Sequence, residues 1–422
     1  MRTEPTIIIH GGRSLSGAVK VEGAKNSALK LMAACLLCPG QHSLHNVPQI
    51  ADTKVMADLL RGLGAQVKHD RGRLEIDSSA LTGFEAPYEL VSQMRASTAV
   101  LGPLLARTGR AKVAMPGGCQ IGSRKLDMHI RGLEAMGARF ELEHGYMDAS
   151  APANGLGAAH IRLPGPSVGA TENLLMAATC ADGVTTLENC AREPEIGDLV
   201  HFLQRMGAPI DASLPGTLKI TGGARLHPVK DYEVVGDRIE ACTYIAAGAL
   251  CGGPVTVTGV DPDHLRNPLQ KLSRMGVQIV CGERSITVAR RGRLAATTLQ
   301  TLPYPGFPTD AQSFFMVLCS LADGESRIEE TIFENRFMLA DELNRMGARV
   351  STYGNIASIK GVTALSGAPV QAPDLRGGAA LVLAGLVAEG DTIVSNVHHI
   401  DRGYQDLCAK LTGLGAKVRR IG

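Results

Sequence analysis

The chain has 422 residues, with 43 Lys plus Arg against 41 Asp plus Glu and a net charge of +2. That balance excludes a general electrostatic footprint for nucleic acid or an anionic membrane, so any anionic ligand must be held by local clusters of base; aromatics at 4% with no Trp also argue against stacking of single-stranded bases. Residues 1–12 lack the apolar core of a signal peptide and no run approaches the ~20 apolar residues of a membrane span, so a cytosolic protein of two or three domains is expected.

In chain order, a strand at Ala18–Glu22 leads into an apolar helix beginning near Ala24, NSALKLMAACLL. A strand and then an amphipathic helix ending in LRGLGA (Leu60–Ala65) follow, and after it two strands, Gln66–His69 and Arg73–Asp77. The same series then recurs. The apolar helix returns as MRASTAVLGPLLA, ATENLLMAATCA, RIEACTYIAAGALC, DAQSFFMVLCSLA and GGAALVLAGLVA, each rich in small residues and apolar on all sides, which predicts burial. The amphipathic helix returns with LEAMGA, LQRMGA, LSRMGV, LNRMGA and LTGLGA. The glycines of these phrases, Gly64, Gly137, Gly207, Gly276, Gly347 and Gly415, stand roughly 70 residues apart and fit left-handed helix caps. The chain thus reads as six copies of a helix-strand-helix-strand-strand unit, with buried and exposed helices alternating.

Six units exceed one compact core, so three plus three is the natural grouping. The first domain is expected over residues 23–235. Residues 1–22 and 236–422 are expected to form the second, completed by the N-terminal strand, with ligands in the cleft between the two.

Polar residues stand at the starts of the apolar helices: Lys25 and Asn26, Arg95, Ser167 to Gly169, Asp237, Arg238 and Glu240, Thr309 and Asp310, Asp374 and Arg376. A cap accounts for Ser167 or Thr309 alone. It does not account for Lys25, Arg95, Arg238 or Arg376, since a cation opposes the dipole at a helix N-terminus. Repeat symmetry gathers such ends, and free amides joined by Lys and Arg favour a polyanionic small molecule carrying phosphate.

The stretch MPGGCQIGSR (Met115–Arg124) is dense in glycine and reads as a mobile loop or lid, with Cys119 at its centre and Arg124 close behind. An incidental surface cysteine is an equal alternative on this local pattern. Cys35 and Cys38 form a lone CxxC inside an apolar helix, and with most other cysteines are read as core. His398, His399 and Asp401 surround Arg402 in HHIDRGYQD; with no spaced partner the cluster gives little support to a metal.

The phrases GAKNSALKLMAA, MRAS, PGGCQIGSR, SVGATEN, AREPEI, GDRIE, YPGFPTDAQ, ENRFM, DLRGGAAL and HIDRGY occur in that order along the chain. On them the chain resembles the UDP-N-acetylglucosamine enolpyruvyl transferases over essentially its full length. The resemblance implies an α/β enolpyruvyl transferase fold of two inside-out domains, each of three repeats. It implies phosphoenolpyruvate and UDP-N-acetylglucosamine as partners, with no cofactor, no metal, no nucleic acid and no membrane. Carried over by motif, Lys25, Arg124 and Arg402 hold phosphoenolpyruvate, and Asn26 and Asp310 meet the sugar hydroxyl. Arg95, Ser167, Val168 and Gly169 meet the diphosphate and its neighbours. Arg124, Lys125, Leu126, Asp127 and Met128, with Ile332, border the uridine. Arg336, Asp374 and Arg376 complete the substrate-binding set.

The chemistry this resemblance implies is addition–elimination. Asp310 takes the proton of the sugar 3-hydroxyl as it attacks phosphoenolpyruvate, Cys119 protonates the methylene carbon, and phosphate leaves. Cys119 is also the expected carrier of a phospholactoyl adduct and the target of fosfomycin-type inhibitors. Three positions depart from the family pattern: Lys125 where Pro is usual, Thr98 in place of a bulkier residue, and Pro373 where Thr is common. Two alternatives stand beside this reading: an enolpyruvyl transferase for a different nucleotide acceptor, and an inactive regulatory paralogue. A shikimate phosphate acceptor is disfavoured by the PGGC loop and SVGATEN.

Overall fold

The computed structural model describes residues 4–115 and 126–422. They form two compact units: one of residues 23–115 and 126–235, the other of residues 4–22 and 236–422. The expected residues Cys119, Arg124 and Lys125, and the Gly-rich stretch around them, lie outside the described residues.

Every apolar stretch forms a helix with a buried interior. The first unit holds Lys25–Ala34, Leu101–Thr108 and Val168–Ala178; the second holds Arg238–Cys251, Thr309–Ser320 and Leu375–Val387. In the second unit the three pack on one another. Sheets cover them, which explains why the helices are apolar all round while the strands alternate. In Thr217–Thr221, Leu218 and Ile220 are buried and Lys219 and Thr221 exposed. Each unit has its own continuous apolar core. Two helices depart from expectation. Arg95–Val100 is a tight 3-10 stretch, and the regular helix begins only at Leu101, while Lys25–Ala34 passes into a 3-10 turn at Cys35–Leu37 that leaves Cys38 beyond the helix, in extended backbone.

The second helix of each repeat ends as the glycine phrases predict. Gly64 has φ 102°, and its five counterparts are also left-handed. Gly64 N–H donates to Arg61 O and Ala65 N–H to Leu60 O, and the same crossed pair of bonds closes the helices at Gly137, Gly207, Gly347 and Gly415.

Each repeat contributes to a four-stranded sheet, and here the unit has more than the sequence pattern suggests. In four repeats a short strand precedes the buried helix and pairs parallel to the strand that follows it. Glu85–Ala86 lies beside Arg110–Ala114, and His160–Arg162 beside Val184–Glu188. Thr298–Gln300 lies beside Glu325–Glu329, with Thr298 opposite Arg327 and Leu299 opposite Ile328, and Pro369–Gln371 lies beside Asp391–Ser395.

In the remaining two sheets the parallel strand comes from elsewhere in the chain. Gly17–Lys20 completes the sheet of Val255–Thr258, and Tyr232–Glu233 completes that of Gln41–His45. The sixth repeat borrows as well: Thr6–His10 lies between Asp391–Ser395 and Lys417–Ile421, antiparallel to both. The N-terminal segment therefore supplies two strands to the second unit. The chain passes between units at Gly23 and Gly236. A Cβ on Gly23 would stand 1.8 Å from Asn46 O, and one on Gly236 1.8 Å from Gly259 O, so only glycine fits at either passage.

Among the described residues no helix is long and apolar enough to cross a membrane.

Candidate active site

In the first unit, the expected residues gather at the starts of the buried helices. Lys25 opens its helix with no side-chain cap before it, and its Nζ lies 2.6 Å from Asp52 Oδ2. Both side chains are buried, so Asp52 supplies a counter-charge that offsets the unfavourable helix dipole. Asn26, beside it, is half-buried. Ser167 caps Val168–Ala178 by accepting from Ala170 N–H at 3.3 Å, and Val168 and Gly169 follow, half-buried.

His129 joins this helix to Asp127–Ala135. Its Nδ1 lies 3.1 Å from Asn173 Nδ2, and a Cβ on Gly169 would meet the imidazole Cε1 at 3.1 Å. Gly169 thus permits the close approach. Burial, aided by the charges of Arg95 and Lys30, pushes His129 down to about 4, so it stands neutral beside those cations. Leu126, Asp127 and Met128 precede it, all half-buried. Deeper in the unit, Lys30 Nζ stands 2.9 Å from Glu172 Oε2, and burial pushes the Glu172 carboxyl up to about 7.

In the second unit, Asp310 sits in the first turn of Thr309–Ser320. Arg336 Nη2 donates to its Oδ1 at 2.8 Å and Arg376 Nε at 3.4 Å. Both arginines are 3% exposed, whereas the Asp310 side chain is 30% exposed, so the carboxylate is held from its buried side and still reachable from solvent. Asp374 caps the helix that carries Arg376, accepting from Arg376 N–H at 2.7 Å and Gly377 N–H at 3.1 Å. Arg376 Nη1 also donates to Tyr404 Oη at 3.3 Å. Arg402 follows the short helix His398–Asp401. Burial, with the charges of His398 and Arg402, pushes His399 down, while Asp374 acts in the opposite sense.

Thr309 is not the cap that the sequence pattern suggests. Pro308 occupies the cap position, and the Thr309 hydroxyl instead donates to Glu330 Oε2 at 2.9 Å. Ile332 N–H donates to Glu330 Oε1 at 2.8 Å. Sequence reasoning does not single out Glu330, Asp52, His129 or Tyr404. Each acts through a partner distant in the chain, which leaves no local pattern to read.

Among the described residues no group of three or more His, Cys, Asp or Glu is placed to hold a metal ion. Asp401 is taken up by Arg420 at 2.5 and 2.8 Å, and His398 packs on His399 with ring centroids 4.1 Å apart.

Six repeats of sheet-covered helices, split three and three, with carboxylates and cations at the helix starts, are the arrangement that the resemblance to the enolpyruvyl transferases implies. The family model for EPSP synthase (3-phosphoshikimate 1-carboxyvinyltransferase) matches residues 9–411, and the chain belongs to that family. A UDP-N-acetylglucosamine 1-carboxyvinyltransferase of Gluconobacter oxydans is 52% identical over 98% of this chain and 99% of the relative. Another so named, from Corynebacterium jeikeium, is 50% identical over 99% of each. The solved structure of the enolpyruvyl transferase NikO from Streptomyces tendae superposes with a TM-score of 0.88 at 29% identity, covering 99% of both chains. An EPSP synthase from Acinetobacter baumannii, at 16% identity and a TM-score of 0.76, shares the fold.

Proposed function

We propose that this transferase moves the enolpyruvyl group of phosphoenolpyruvate to the 3-hydroxyl of UDP-N-acetylglucosamine with release of phosphate, a step in making cell-wall precursors. The observation that carries the reading is the Asp310 carboxylate, oriented by two buried guanidiniums and itself partly exposed. The full-length similarity to carboxyvinyltransferases for that nucleotide sugar supports the choice of acceptor.

In this reading Asp310 accepts the hydroxyl proton as the sugar oxygen attacks the central carbon of phosphoenolpyruvate. Cys119 donates a proton to the methylene carbon; the methyl group so formed then returns a proton to the Cys119 thiolate as phosphate leaves the tetrahedral intermediate, which restores the carbon-carbon double bond of the enolpyruvyl group. Lys25, Arg124 and Arg402 offset charge on the phosphate and carboxylate, contributions often worth a few kcal/mol each. Asn26 meets the sugar hydroxyl, and Arg95 with Ser167, Val168 and Gly169 meets the diphosphate. Residues 124–128 and Ile332 border the uridine, while Arg336, Asp374 and Arg376 hold Asp310 and its surroundings.

The test is phosphate release from phosphoenolpyruvate with each candidate acceptor, followed by mass analysis of the product. A product of UDP-N-acetylglucosamine plus enolpyruvyl supports the reading. Release only with a different nucleotide acceptor supports the second reading, which Lys125 in place of the usual Pro leaves open. No release with any acceptor indicates an inactive paralogue.

A further inference from the structure

We propose that Glu330 is a positioning residue for the acceptor-side machinery, setting Asp310 and the segment from Ile332 to Arg336 relative to one another. The inference rests on the function proposed above. Glu330 is 2% exposed and follows the strand Glu325–Glu329. Its Oε1 accepts from Thr301 Oγ1 at 2.9 Å, Ile332 N–H at 2.8 Å and Phe333 N–H at 3.1 Å. Its Oε2 accepts from Thr309 Oγ1 at 2.9 Å. Thr309 is the residue before Asp310. Ile332 and Phe333 begin the segment that ends in Arg336, whose guanidinium returns to Asp310 at 2.8 Å. One buried carboxylate thus closes a ring of contacts with Asp310 on its far side.

Comparison of the repeats makes the residue choice specific. The residue after the corresponding strand is Asn46, Asn189, Gly259 or Asn396 in four of the six repeats, each with left-handed backbone. Asn46 Nδ2 donates to Val234 O at 3.0 Å and Asn189 Nδ2 to Leu163 O at 2.9 Å. At Asn46 and Asn189 the turn is closed by a side-chain amide. The fifth repeat, which carries Asp310, has a carboxylate instead, and no left-handed φ at that place. The longer side chain with two acceptor oxygens reaches both the helix start and the following segment. An Asn there is too short to do both.

The experiment compares Glu330→Ala, Glu330→Gln and Thr309→Val with the parent protein by kcat, KM for each substrate and melting temperature. Glu330→Ala is expected to lower kcat roughly 10- to 100-fold, the scale of a misplaced catalytic group, with KM for phosphoenolpyruvate unchanged. Glu330→Gln retains acceptor capacity at Oε1 and presents an amide to the Thr309 hydroxyl, so it is expected to restore most of kcat. Thr309→Val removes only the Oε2 contact and decides the matter if Glu330→Ala does not fold; it is expected to lower kcat several-fold with KM for phosphoenolpyruvate unchanged. A kcat within about twofold of the parent in a folded Glu330→Ala, or in Thr309→Val, overturns the inference, as does a Gln variant no better than Ala. An inactive parent protein would instead overturn the proposed function.

Discussion

Arg336 Nη2 and Asp310 Oδ1 lie 2.8 Å apart, the arginine buried and the carboxylate partly open. The contact fixes the direction in which the carboxylate is presented, which is what a base for a positioned hydroxyl requires. Asp310→Asn is accordingly expected to keep the fold and the binding of the nucleotide sugar while turnover falls by roughly 10²- to 10⁴-fold. Steady-state kinetics alongside a binding titration checks this. Near-parental turnover removes Asp310 from the role of base.

Lys25 and Asp52 form a buried pair at 2.6 Å, so Lys25 has a structural as well as a proposed catalytic role. Lys25→Met is expected to cost about 3 kcal/mol of stability, because a buried carboxylate loses its cation, and to weaken phosphoenolpyruvate binding as well. Denaturant melts read the first effect and KM the second. An unchanged melt would show that other contacts of Asp52 suffice.

Much of the fold was legible in the sequence because its signals are local and repeated. Six apolar helices and six glycine-capped phrases give the repeat, and the cap bonds at Gly64 or Gly347 are those the phrases imply. Of the short parallel strands only Gly17–Lys20 was legible, as the expected strand Ala18–Glu22. Glu85–Ala86 and Tyr232–Glu233 hold two residues each, too few for alternation to register. The place of Thr6–His10 depends on residues far along the chain, such as Asp391, which faces His10. Among site residues, Asp310 and Arg376 stood out because polar groups are unusual at the start of apolar helices. Glu330 did not, since one carboxylate after a strand resembles any other.

Burial pushes His42 down from 6.5 to about 4 and holds it neutral in the folded chain. Between those values the unfolded chain binds a proton that the folded chain does not, so stability falls as pH drops from 6.5 towards 4 and is unaffected above 6.5. His42→Asn is expected to flatten part of that acid slope. Urea melts of both proteins at about pH 7 and about pH 5 measure it. An equal loss of stability in the two would exclude His42 as a source.

Cys119 is expected to be the thiol that fosfomycin-type electrophiles modify first. Burial pushes the nine described thiols up, to about 11 at Cys38 and Cys190 and about 12 at Cys242, Cys251 and Cys319. Cys281 is the exposed one among them, and burial raises it as well. Labelling should accelerate when the nucleotide sugar is added, and Cys119→Asp should abolish it while leaving some activity, since a carboxylic acid also donates a proton. Peptide mapping after exposure checks the site. First modification at Cys281 would defeat the expectation.

The placement of Thr6–His10 between Asp391–Ser395 and Lys417–Ile421 has a consequence for how the protein is made. The unit of residues 23–115 and 126–235 holds all its described strands once Tyr232–Glu233 has left the ribosome. The other unit draws on residues from both sides of it. Two of its sheets need strands from Thr6–His10 and Gly17–Lys20, and one of these also needs Lys417–Ile421. Those early strands must wait, unpaired, while the whole of the first unit is synthesised, and the second unit closes only after Lys417–Ile421 has emerged.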